Sequence, residues 1–174
     1  MSLFKKLKKS MGIGTLTFEL VVPSHVAGSS GEIAGEIVIT AKSAQHVKDV
    51  EVAFNEVFEW EERESRYDST QKRTVDYWDS KSRTTRLGYI KDEVPFELSE
   101  GEIKKFPFVI PFQPFTPSHV RGSSADDGVW GFLGSAIGAG TSVRGQRIKY
   151  EVKGDVDLVD VAFDKGDTKR TIVT

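Results

Sequence analysis

From residue 15 onward, apolar side chains recur at every second position. Leu16, Phe18, Leu20 and Val22 make one such row, and Ile33, Ile37 and Ile39 make a second with Gly35 among them. Val50, Val52, Phe54, Phe58 and Trp60 make a third. A period of two marks a strand with one buried and one wet face. The rows therefore predict strands over 15–22, 32–40 and 47–60. Glu56 interrupts the third row, which predicts a twist or a sheet edge beside it. Residues 61–82 are polar and charged, with Tyr67, Tyr77 and Trp78 embedded and no ladder of β-branched residues. They read as a long hairpin or an excursion with a mobile tip, and 83–91 reads as a strand returning from it.

The stretch 94–117, VPFELSEGEIKKFPFVIPFQPFTP, holds five of the six prolines. Proline excludes helix and is confined to edges and ends of sheets. The pattern gives a strand at 94–98, a turn at Glu100-Gly101, and a strand at 104–112 with Phe106, Phe108, Ile110 and Phe112 on one side. Residues 119–145 are irregular and rich in Gly and Ser, and 129–137 within them could form a short helix. The strand pattern resumes over 147–161 through Tyr150, Val152, Val156 and Leu158, and then changes parity to Val159, Val161 and Phe163. Such a slip predicts a β-bulge. A last short strand is expected at 169–173.

About eight strands with no helix alternating between them argue for two packed antiparallel sheets, an all-β sandwich. The N-terminus departs from this pattern. In residues 2–10, Leu3, Phe4 and Leu7 share one helical face while Lys5, Lys6, Lys8 and Lys9 cover the rest. Gly12 and Gly14 then end a short amphipathic helix. The expected organisation is this helix and a linker over 1–14, and one sandwich domain over 15–174 with a Gly/Ser-rich insertion at 118–145.

Composition narrows the chemistry. A chain of 174 residues suits one domain, and a net charge of -2 gives no bulk attraction to nucleic acid or membrane. There is no cysteine, which excludes disulfides, thiol nucleophiles and thiolate metal sites. Residues 1–13 lack the continuous apolar run of a secretory leader, and the uncharged stretch 128–143 is too short and glycine-rich to span a bilayer as a helix. A cytoplasmic protein without a cofactor is the expectation.

Four segments in order carry a family resemblance: MSLFKKLKKSMGIG at the start, GEIAGEIVI at 31–39, VPFELSEGEIKKFPFVIPF at 94–112 and IKYEVKGDVDL at 148–158. With them the chain resembles the arrestin-like proteins, which have immunoglobulin-like sandwiches, and among these the bacterial sporulation-control (SpoOM-like) family. The resemblance implies an arrestin-like β-sandwich and a regulatory, adaptor or scaffold role exercised through protein contacts rather than catalysis. Such relatives usually carry two tandem sandwiches, whereas this length holds about one.

Candidate sites are few. Pro23-Ser24-His25-Val26 is echoed by Pro117-Ser118-His119-Val120, each after an apolar strand. Paired loops could bring Ser24, His25, Ser118 and His119 together, with Asp126 or Asp127 completing a hydrolytic triad. Against this, these are turn residues, and adjacent Ser and His side chains tend to diverge. Asp155 and Asp157 share a strand face that would suit Ca²⁺ only if other oxygens, such as those of Asp160, joined them. A solvated strand face explains them better, so no metal site is expected. The lysines of the N-terminal helix (Lys5, Lys6, Lys8, Lys9), with Phe4, offer a membrane-surface contact, but the apolar face is small. The uncharged run around Trp130, Phe132, Leu133 and Ile137 must be covered by the domain itself, by a second copy in a homodimer, or by another protein. Basic residues over 59–73 alternate with acidic ones, so nucleic acid is not an expected partner.

Overall fold

The computed structural model describes residues 15–117, 143–159 and 165–174 of the chain. The helix expected at 2–10 and the short helix that 129–137 could form lie outside these residues. Among the described residues there are nine strands: β1 (Leu16–Val21), β2 (His25–Val26), β3 (Glu32–Ala41), β4 (Gln45–Asp68), β5 (Arg73–Asp92), β6 (Phe96–Leu98), β7 (Ile103–Pro111), β8 (Val143–Leu158) and β9 (Lys165–Val173). They form two sheets, one ordered β1-β3-β7 and the other β2-β9-β8-β4-β5, with β6 also paired to β4. Every pairing is antiparallel except the short β2–β9 contact. The all-β sandwich predicted from alternation is the observed fold.

The buried rows are the predicted ones. Ile33, Ile37, Ile39, Phe108 and Ile110 of the smaller sheet face Val52, Phe54, Val152 and Val156 of the larger. Glycines mark where the layers come closest. Phe18 lies over Gly154, where a Cβ would meet the ring edge at 3.0 Å. A Cβ on Gly88 would meet the Ile110 side chain and the Pro111 carbonyl at 2.6 Å. At one end of the core, Phe54, Phe112, Phe115 and Tyr150 form a chain of ring contacts with centroids 5.1–6.2 Å apart. That geometry adds ring–ring attraction to the burial itself.

Three expectations are corrected. Glu56 does not mark a sheet edge: β4 is an inner strand, with β8 on one side and β5 on the other. Its register against β5 does shift at Phe54/Asn55, where β5 carries the extra residue Leu87. The parity change after Leu158 is not a bulge within β8, because β8 ends there and Val159 is exposed. The bulges against β8 fall instead at Val47/Asp49 and Glu59/Glu61. The irregular stretch also ends earlier than predicted, since β8 already runs from Val143.

Candidate interaction surface: the β4–β5 arm

The residues 61–82, read in the sequence as a hairpin or excursion, are paired strand almost throughout. β4 and β5 hold an unbroken register from Asn55–Arg86 to Asp68–Arg73. The last buried residue of β4 is Phe58. Beyond it, ten residues at about 3.3 Å each carry the hairpin roughly 30 Å further. Among the described residues, β8 accompanies it as far as Glu62. The tip closes because Asp68 Oδ1 accepts bonds from the backbone N–H groups of Thr70 and Gln71 at 2.8 and 3.1 Å. Lys72 then takes a left-handed conformation, φ 50°. An Asx turn of this kind needs only the short acceptor side chain in the right place.

Cross-strand side-chain pairs, not burial, line the arm. On one face, Lys81 Nζ lies 2.6 Å from both Glu64 and Asp79, and the Tyr77 hydroxyl donates to Glu64 at 2.9 Å. On the other face, Asp76 accepts from Ser65 at 2.5 Å and pairs with Arg63. Arg144 of β8 bonds Glu61 at 2.6 Å and lies 4.0 Å over the Trp78 ring. Glu59 is held between Arg147 and Lys149, each at 2.5 Å. These contacts move the titrations. Hydrogen bonds from Lys149 and Arg147 hold the Glu59 carboxyl below its usual range. Those from Lys81 and Tyr77 do the same for Glu64, and those from Ser65 and Arg63 for Asp76. Lys81 is pushed up by Asp79 and Glu64. Gly145 (φ 66°) supplies the extra residue of the β8 bulge, which opens a cleft beside Trp60 at the base of the arm.

Among the described residues, one side of the arm has no partner strand. β5 is the edge of the larger sheet, twenty residues long, with no proline and no buried residue. The other edges are managed. β7 carries Pro107 and Pro111, which lack an N–H. The β1 edge is tied to the opposite sheet by Leu20 N–H bonding Asp167 at 3.2 Å, and β2 is two residues long. Four of the exposed large hydrophobic residues, Tyr67, Tyr77, Trp78 and Tyr89, lie on β4 and β5.

The sequence-predicted sites fare differently. Ser24 Oγ and His25 Nδ1 do meet, at 3.0 Å, against the expected divergence, on an exposed turn at the start of β2. Among the described residues no carboxylate bonds that imidazole. Ser118 and His119, the other half of the proposed pair, lie outside the described residues. So do the contact residues Trp130, Phe132, Leu133 and Ile137, the helix residues Phe4, Lys5, Lys6, Lys8 and Lys9, and Asp160. Asp155 and Asp157 lie on the outer face of the larger sheet, Asp155 2.8 Å from Lys153 and Asp157 2.6 Å from Lys48. Nearby Asp49 is paired with Lys91 at 3.1 Å. Among the described residues no group of three or more His, Asp or Glu is placed to hold a metal ion. Nor is any helix there long and apolar enough to cross a membrane.

No family model matches the chain, and no curated protein matches it. Among solved structures, the chain is similar to the crystal structure of Spo0M, sporulation control protein, from Bacillus subtilis, at 16% identity and a TM-score of 0.49. The match covers 92% of this chain and 50% of that one, so this chain spans half the length of the protein it resembles.

Proposed function

We propose that the protein is a non-enzymatic interaction module that recruits a protein partner along the free edge of β5. The observation that carries this reading is the edge itself: twenty residues of strand with one side unpaired among the described residues, and no proline to blunt it. Such an edge offers alternating backbone donors and acceptors to an incoming strand. The flanking side chains select the partner. Tyr77 and Trp78, half in water, are the residue types that dominate contact energy. The regulatory or adaptor role implied by the sequence resemblance is of the same kind, since it acts by contact.

The test shortens the hairpin. A chain in which a tight turn joins Glu62 directly to Asp79 keeps the sandwich, the bulge at Gly145 and the pairing with β8. Capture of binding proteins by the intact chain should be lost with the shortened one, while circular dichroism shows the same strand content per residue. Recovery of the same proteins by both forms would remove the arm from the binding surface.

A further inference from the structure

We propose that the strand docking on the β5 edge is β5 of a second copy, paired antiparallel about Lys81. This rests on the reading of β5 as the binding edge and names its occupant. The argument is one of register. In an antiparallel pair related by a two-fold axis through the sheet, each face must meet the same face. Residues opposite one another then have the same parity, and the allowed registers differ by steps of two.

Only one central register satisfies the side chains. With Lys81 on the axis, Asp79 stands opposite Arg83 and Asp76 opposite Arg86. Each pair occurs twice by symmetry. Between them Trp78 meets Thr84 and Tyr77 meets Thr85, which are aromatic–β-branched pairs of the kind that stabilise sheets. The neighbouring registers are worse. Centring on Ser80 leaves only Asp79–Lys81 as an opposite-charge pair and sets Tyr77 against Arg83. Centring on Ser82 sets Lys81 against Arg83, a like-charge clash.

The one like pair in the chosen register, Lys81 with its own copy, is already neutralised. Each Lys81 lies 2.6 Å from Glu64 and from Asp79 on the same face. With Arg83 added, the axis gathers four cations and four carboxylates. Geometry also allows it. The straight part of the edge runs from Arg73 to Arg86, just before the bulge at Leu87. The two sandwiches then lie at opposite ends of the joined arms, and eleven residues from Asp76 to Arg86 pair without a bulge. Charges on an edge strand also serve to repel other strands. Here they favour the register about Lys81 over the two beside it.

Sedimentation of the full chain tests this. The intact protein should be a dimer at micromolar concentration, and added salt should weaken it. Asp76→Arg and Arg86→Asp each place like charges opposite one another, and each should raise the dissociation constant about tenfold or more. Mixing the two variants in equal amounts restores both opposite-charge pairs in a heterodimer, which should bind as tightly as the unaltered chain. A monomeric intact chain overturns the inference, as does a variant that dimerises normally, or a mixture that stays dissociated. A monomeric chain whose partner capture still depends on the arm would leave the edge as a binding surface for a different protein. That separates the two readings.

Discussion

Glu56 lies on the inward face of β4, between Phe54 and Phe58, and is buried. The Tyr150 hydroxyl, directly across on β8, donates to its side chain at 2.9 Å. Removing a donor so that a buried acceptor is left unsatisfied costs about 1–3 kcal/mol. Tyr150→Phe should therefore destabilise the fold by about that much in urea unfolding, although the ring packing with Phe54 and Phe115 is kept. Gly35 makes the opposite demand. A Cβ there would stand 2.4 Å from the Phe108 ring and 2.7 Å from the Val21 carbonyl oxygen. The ring can tilt, but the carbonyl belongs to the β1–β3 ladder and cannot move away. Gly35→Ala should lower the melting temperature through overpacking of about 1–3 kcal/mol. The place of Gly35 on the buried face was legible in the sequence, because the parity of Ile33 and Ile37 assigns it. The burial of Glu56 was not, because its partner is ninety-four residues away and nothing local announces it.

At the scale of elements, the sandwich strands were legible and the arm only in outline. Alternation reports burial on one face. In β4 beyond Phe58 and in β5 up to Arg86 neither face is buried, so the row of apolar residues that betrays a strand is missing there. The backbone ladder remains, supported by pairs such as Lys81 with Glu64 and Asp76 with Ser65. The alternation that survives is one of charge, and the Asp68 turn is the local clue to where the chain reverses.

The same pairs give the arm a pH dependence whose sign can be worked out. The Glu59, Glu64 and Asp76 carboxyls are lowered in the fold. What they contribute is present above the ordinary carboxylate range, about 4, and is lost as pH falls through their lower folded values. Lys81 is raised, so its contribution holds below its unfolded value, about 10.4, and is lost only as pH rises through the folded one. Between these limits the arm is at its most stable. Amide exchange in peptides from 61–82, taken relative to peptides from β3 at the same pH, should accelerate on acidification below about pH 4. A constant ratio down to pH 2 would mean that the side-chain pairs do not hold the arm together.

For the whole molecule, the division is between a body that folds by burial and an arm that folds by pairing. Every residue of the hydrophobic cluster, from Leu16 to Val173, lies in the sandwich, and none lies between Glu59 and Ser82. Apolar burial dominates folding free energy at about 25 cal/mol per Å², whereas exposed ion pairs typically contribute less than about 1 kcal/mol each. The arm must then draw its order from the body: β4 enters it already fixed by β8 and β5, and the ladder propagates outward from Phe58. The coupling should run one way. Shortening the hairpin by joining Glu62 to Asp79 should leave the unfolding free energy of the sandwich within about 1 kcal/mol of the intact chain at dilutions where both are monomeric, because no buried apolar contact is removed. Loosening the body with Val152→Ala, a fully buried neighbour of Phe54, should speed exchange in the arm as well as in the core. Denaturant titration of the shortened chain and exchange on the Val152 variant together check this. A shortened chain that loses several kcal/mol would show that the arm braces the sandwich, and the free edge of β5 would then have to be explained by stability rather than by binding.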